Sequence, residues 1–192
     1  MNLYWACAAS FLIGAIPTAF IAGKMKGVDI REHGSGNVGA TNAGRVLGRP
    51  IGLMVYAIDF LKGYLPVILF ARALNRPVTD FHIFACIGLT AVLGHIFTPF
   101  LGFKGGKGVA TGGGALAASF PAVFLGGIAV WGLFFSFTRV VAIASIAASL
   151  SLPFYGLIFK LSKGIIFSLI LTAVLGIWGH RSNIRRLLSN KS

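Results

Sequence analysis

The chain has 192 residues, 56% of them hydrophobic and 11% charged, against about 45–50% and about 25% in soluble domains. Apolar runs of roughly 20 residues, each long enough to cross a hydrocarbon core as a helix, recur from Tyr4 to Trp178 and exclude a soluble or disordered protein. Seventeen Lys and Arg face four acids, a net +13; the positive-inside rule and attraction to anionic headgroups account for part of that excess only.

The first apolar run, Leu3 to Ala22, has no basic start, its first positive charge being Lys24. It reads as a spanning helix with the N-terminus outside, not as a signal peptide. Further spans are predicted over 51–71, 81–101, 140–158 and 165–180. The uncharged stretch from Val109 to Phe137 would extend roughly 43 Å as one helix, more than a span needs. Ser119-Phe120-Pro121 breaks it, because proline starts helices better than it continues them. This predicts a short Gly/Ala-rich helix over 109–119 and a second over 121–137.

Charge then sets the orientation. The 23–50 and 102–108 connections carry Lys24, Lys26, Arg31, Arg45, Arg49, Lys104 and Lys107 and are expected in the cytoplasm. Seven spans place Arg139 and the tail (Arg181, Arg185, Arg186, Lys191) on the same side. They leave Arg72, Arg76, Lys160 and Lys163 on the other. The expectation is an all-α, polytopic membrane helix bundle of about seven transmembrane helices, two of them short, with a cytoplasmic C-terminus. The hydropathy admits five to seven. Residues 1–192 read as a single integral-membrane domain, and Cys7 and Cys86 lack any partner spacing.

Three segments carry chemistry. The first runs from His33 to Arg45 and holds Gly34, Gly36, Gly39 and Gly44 with Ser35, Asn37, Thr41, Asn42 and Arg45. Glycines let backbone N–H groups converge on an anion, serine adds a hydroxyl donor, and arginine offers a two-pronged charged fork. Phosphate binding is the expectation, although the Gly-Lys-Ser/Thr end of a Walker loop is absent. The second segment, Gly94 to Gly114, contains Lys104-Gly105-Gly106-Lys107 before a helix start. Lys104 is assigned to ligand and Gly112 to Gly114 mainly to helix packing, while Lys107 stands between a ligand role and a basic turn. The third set is Ser145, in an otherwise apolar helix, and the His180 to Arg186 segment. His180 and Asn183 share a helical face there. For Ser145 a back-bond to the preceding turn is as good a reading as a ligand role.

Asp59 and Lys62, three apart in the second span, are expected to form an intrahelical ion pair, since ionisable groups at that depth need a partner. His33, His82 and His95 show no ligand spacing with acids or cysteines, so neither a protein-bound metal nor a cofactor is expected. The four acids, Asp29, Glu32, Asp59 and Asp80, supply neither a His-x4-Asp base nor paired metal-binding aspartates, and no Gly-x-Ser-x-Gly elbow is present. An organophosphate transporter remains an alternative at this stage, disfavoured by charges gathered on one membrane side.

Taken together, GSGNVGATNAGR (34–45), GHIFTPFLGFKGGKGVAT (94–111) and HRSNIRRL (180–187) resemble the bacterial acyl-phosphate:glycerol-3-phosphate acyltransferase family along essentially the whole chain. The resemblance implies a multi-pass enzyme of the bacterial inner membrane with its active site facing the cytoplasm. It would make lysophosphatidic acid and inorganic phosphate from glycerol 3-phosphate and a long-chain acyl phosphate. Membrane lipid would surround it, a transient contact with the peripheral enzyme that makes acyl phosphate is implied, and nucleic acid is not a partner.

By position, the resemblance implies Ser35, Arg45 and Lys104 as phosphate contacts, with Gly36, Asn37, Thr41, Asn42, Gly105, Gly106, Lys107 and Ser145 among the substrate-binding residues. It places His180 and Asn183 near the donor phosphate or the reacting carbonyl. Ser35, His180 and Asn183 are then the catalytic set, with either His180 or a substrate phosphate as base. The acyl chain is expected in an apolar groove, for which Gly112, Gly113, Gly114, Ala115 and Ala118 are candidate lining. Family members usually carry Glu where Ser182 stands and often a Gly-Thr-Glu tail in place of Ser189 to Ser192, so a supporting tail acid is missing here. Ala142 replaces the earlier serine of the family's mid-chain segment.

Overall fold

The computed structural model describes residues 2–189 and is all-helical over them. The tail expectation for 190–192, Lys191 included, lies outside the described residues. The chain forms two compact units, Met1–Ser119 and Phe120–Ser192.

In the first unit, the apolar run expected as one helix is two: α1 (Leu3–Ala15) and α2 (Thr18–Met25). Pro17 has no N–H with which to continue the ladder, so the chain breaks at Ile16-Pro17 and strands nearby carbonyls. Side chains from elsewhere satisfy them. The Thr98 hydroxyl donates to the Ala15 carbonyl at 2.6 Å and the Lys62 ammonium to the Ile16 carbonyl at 2.7 Å.

A short helix, α3 (Ala40–Val46), precedes α4 (Arg49–Ala73). α5 (Leu89–Ile96) is extended N-terminally by wider π-helical turns over Ile83–Gly88, and α6 covers Val109–Ser119. Glycine lets these helices approach backbone to backbone. A Cβ at Gly14 or Gly94 would strike the carbonyl of Ala91 or Phe11, which ties α1 to α5. At Gly63 or Gly114 it would strike that of Thr111 or Phe60, which ties α4 to α6. Gly114 is therefore a packing residue, as expected. Ala115 and Ala118 are buried too.

The second unit begins at the expected proline break: α7 (Pro121–Thr138), α8 (Val141–Ile158), α9 (Lys163–Gly179) and α10 (Arg181–Leu188). Between α7 and α8 a laterally open apolar cavity of about 530 Å³ is lined by Val130, Phe134, Ile143, Ile146, Leu150 and Phe154, with Ala147 and Ser151. α9 and α10 meet at a 54° bend.

Among the described residues five helical stretches are long and apolar enough to cross a membrane, or six if the bent α9–α10 pair counts as one. The protein is a multi-pass membrane protein. The difference from the expected seven lies at α6, whose 11 residues extend only about 16 Å, and at the α9–α10 bend.

Candidate active site

The connection from α2 to α3 is assembled by Asp29 and Asn42. Asp29 starts a short 3-10 turn (Ile30–Glu32), its carboxylate accepting from the Arg31 backbone N–H at 3.1 Å. The same carboxylate accepts from the Arg31 guanidinium at 2.9 and 2.7 Å and pairs with Lys24 at 3.1 Å. The hydrogen-bonded Arg31 guanidinium holds the Asp29 carboxyl well below the usual carboxylate range, and Arg31 in turn lies over the Phe20 ring, 4.7 Å from its centroid.

Asn42 does the rest. Buried on α3, its Oδ1 accepts from the Ser35 N–H at 2.9 Å, and its Nδ2 donates to the carbonyls of Ile30 and His33 at 3.2 and 3.1 Å. Gly34, at φ +62°, sits against that amide where a Cβ would collide with Oδ1. Expected as a ligand group, Asn42 instead fixes the loop that presents Ser35, while Ser35, Thr41 and Arg45 stay exposed and Asn37 is half-buried beside Gly39. Replacing Asn42 by alanine strands three backbone groups at about 1–3 kcal/mol each where buried. The expected outcome is a lower Tm in detergent, read by calorimetry.

The second motif comes to the same place. Leu101 shares one buried cluster with Ile30, Val38, Ala43 and Val55, so the turn leading to Lys104 packs against the loop that carries Ser35 and the helix α3 that carries Arg45. Its glycines differ from expectation. The N–H of Gly105 donates to the Ile96 carbonyl at 2.9 Å, that of Gly106 to the His95 carbonyl at 3.1 Å, and that of Gly36 to the His33 carbonyl at 3.0 Å. These three amides are engaged within the backbone and do not form an open glycine cradle. Gly105 and Gly106 are needed for close approach, since a Cβ would hit the His95 carbonyl or the His95 ring.

Beneath this turn lies a buried polar group. The expected Asp59–Lys62 pair is present at 2.6 Å, and it extends to His95, whose Nδ1 is 3.5 Å from Lys62 Nζ and 3.9 Å from Asp59 Oδ1. The sequence reading missed His95, which is 33 positions from Lys62 and has no local spacing to betray it.

Among the described residues the acids engage few of the cations. Asp29 takes Lys24 and Arg31, Asp59 takes Lys62, and Asp80 takes Arg76. Among the described residues no ion pair engages Arg45 or Lys104, both exposed. Lys107 is half-buried and engaged.

In the second unit, His180 joins α9 to α10 and is buried. Its Nδ1 lies 2.8 Å from the Gly176 carbonyl. A carbonyl only accepts, so Nδ1 carries the proton and the neutral ring keeps its lone pair on Nε2. The His180 carbonyl accepts the Ile184 N–H at 2.9 Å, the first bond of α10, on which Asn183 is half-buried. Arg181 stacks on Trp178, 3.8 Å from its ring centroid. Ser145 is buried and its Oγ accepts from the Trp131 indole at 3.2 Å, where a back-bond to its own helix was the competing expectation.

A family model described as glycerol-3-phosphate acyltransferase matches residues 4–190. The chain belongs to that family. It is 40% identical over 182 residues to the glycerol-3-phosphate acyltransferase of Aquifex aeolicus, covering 95% of this chain and 93% of that one. To that of Geotalea daltonii it is 43% identical over 181 residues, 94% and 91% of the two chains. Among solved structures it is similar to PlsY (YgiH), an integral membrane glycerol 3-phosphate acyltransferase. The glycerol 3-phosphate form of PlsY matches with a TM-score of 0.92 at 38% identity, over 99% of this chain and 94% of that one. Its lysophosphatidic acid form matches with a TM-score of 0.89 at 37% identity, over 99% and 93%.

Proposed function

We propose that this protein transfers a fatty acyl group from acyl phosphate to the C1 hydroxyl of glycerol 3-phosphate, giving lysophosphatidic acid and inorganic phosphate. Its family membership over nearly the whole chain carries this reading, supported by the likeness to PlsY in glycerol 3-phosphate and lysophosphatidic acid forms. In this reading Ser35, Arg45 and Lys104 contact the acceptor's phosphate, with Asn37, Thr41 and Lys107 beside them. Asn42, Gly36, Gly105 and Gly106 shape the two loops. Ser145, His180 and Asn183 act toward the donor's phosphate or carbonyl, and the α7–α8 groove is the candidate for the acyl chain.

An acyl phosphate is a mixed anhydride with a good leaving group, so the enzyme mainly supplies proximity and charge complementarity. The C1 oxygen attacks the carbonyl carbon, the bond from that carbon to the phosphate oxygen breaks, and phosphate leaves. The hydroxyl proton passes either to His180 Nε2 or to a substrate phosphate, whose second pKa of about 6 suits it.

The same reading makes residues 1–192 one integral-membrane acyltransferase domain of the bacterial inner membrane. α6 is its short seventh membrane element, the N-terminus lies outside, and the C-terminus and active site face the cytoplasm. The clustering of Lys24, Lys26, Arg31, Arg45, Arg49, Lys104 and Lys107 in two connections supports that orientation. Membrane lipid surrounds the helices, and the peripheral enzyme that makes acyl phosphate is a transient partner. The test is an assay of the purified protein with palmitoyl phosphate and glycerol 3-phosphate, with acyl-CoA as the alternative donor. Lysophosphatidic acid forming from the phosphate alone is the expected result; product from acyl-CoA only would overturn the donor assignment.

A further inference from the structure

The proposed chemistry leaves one buried group unused. Asp59, Lys62 and His95 are 2%, 5% and 8% exposed, inside a bundle where an apolar trio would be less costly to bury. Lys62 Nζ reaches three parts of the first unit: it forms an ion pair with Asp59 Oδ1 on α4 at 2.6 Å, donates to the Ile16 carbonyl at the α1–α2 break at 2.7 Å, and lies 3.5 Å from His95 Nδ1 near the end of α5. An ammonium has three donors and no acceptor, so Nδ1 accepts and the neutral imidazole carries its proton on Nε2. Gly106 packs beside the Nε2 side of the ring, where any Cβ would strike it. The backbone carbonyls of His95 and Ile96 hold the Gly106 and Gly105 amides. A continuous line of contacts therefore runs from Asp59 through Lys62 and His95 to the peptide next to Lys104.

We infer that Asp59, Lys62 and His95 are a positioning unit that sets where the Lys104 ammonium stands, and through it the affinity for the phosphate of glycerol 3-phosphate. The inference rests on the proposed function for its ligand, but the mechanical link to the 104–107 turn stands apart from it. Lys62 is the hub. Its bond to the Ile16 carbonyl references the turn to a break that Pro17 fixes, and its bond to His95 sets the rotation of the ring on which Gly106 rests.

Lys62→Met alone leaves a buried carboxylate uncompensated and can prevent folding. The test therefore uses the double variant Asp59→Leu/Lys62→Met, which removes both charges, and separately His95→Gln. Amide hydrogen exchange of Gly105 and Gly106 and steady-state kinetics are measured on each. In both variants those two amides are expected to exchange at least about 10-fold faster while α4 stays protected. KM for glycerol 3-phosphate should rise about 10-fold with kcat within about 3-fold. In a Lys104→Ala background the same changes should raise KM little further, because residues acting through one group are not additive. Protection and KM equal to wild type, or a KM increase that adds in full to that of Lys104→Ala, would overturn the inference. Loss of protection at Gly105 and Gly106 in a protein whose wild type makes no lysophosphatidic acid would sink the functional reading while upholding the link between the buried group and the turn.

Discussion

Arg45→Lys is expected to lower kcat/KM for glycerol 3-phosphate at least about 100-fold, since a point-charge ammonium cannot reproduce a bidentate guanidinium fork on phosphate. Hydrogen bonds to charged groups contribute about 1.5–3 kcal/mol each, and losing one or two of them spans that factor. Arg45 sits in the last turn of α3, exposed, with no ion pair engaging it among the described residues. Arg31 is a contrast, because its guanidinium is already bound to Asp29. Arg49→Lys, one turn beyond α3, should change kcat/KM by less than about 3-fold, as surface substitutions usually do. Substrate-saturation kinetics on the two variants decide the matter. An Arg45→Lys enzyme with normal kcat/KM would remove Arg45 from the phosphate site.

The second large effect is expected at His180. His180→Asn should lower kcat by about 10²- to 10⁴-fold, the range for a lost general base, with KM for glycerol 3-phosphate within a few-fold. The tautomer sharpens the expectation. With Nδ1–H engaged by the Gly176 carbonyl, a neutral ring presents only an acceptor at Nε2, which suits taking a proton from the C1 hydroxyl. Holding a phosphate by donation from Nε2 would require the imidazolium instead. The pH dependence of kcat separates the two. If the ring is the base, the rise of rate with pH disappears in His180→Asn. If a substrate phosphate is the base, the rise persists in the variant at lower amplitude.

Arg45 and His180 are candidates from the sequence alone because their signals are local. The glycine, serine and arginine of 34–45 lie within one connection, and His180 and Asn183 are one helical turn apart. The proline break after Ser119 and the Asp59–Lys62 pair were legible for the same reason, one from a missing N–H and the other from i,i+3 spacing. Pro17 carries the same signal as Pro121, yet the apolar run around it shows no interruption, because hydropathy averages over a break.

Composition and order alone determined that this chain is a helical membrane protein, where most of its long apolar helices lie to within a few residues, and which segments are candidates for anion chemistry. Apolar run length, proline geometry and charge counts are each read from one contiguous stretch of chain. Tertiary structure decided what each polar group is occupied with. It gave Asn42 the bonds that clamp its loop, engaged the amides of Gly36, Gly105 and Gly106, buried Ala115 and Ala118, and joined His95 to Lys62. Such assignments depend on which acceptor stands within about 3 Å in space, and that is set by contacts between residues dozens of positions apart.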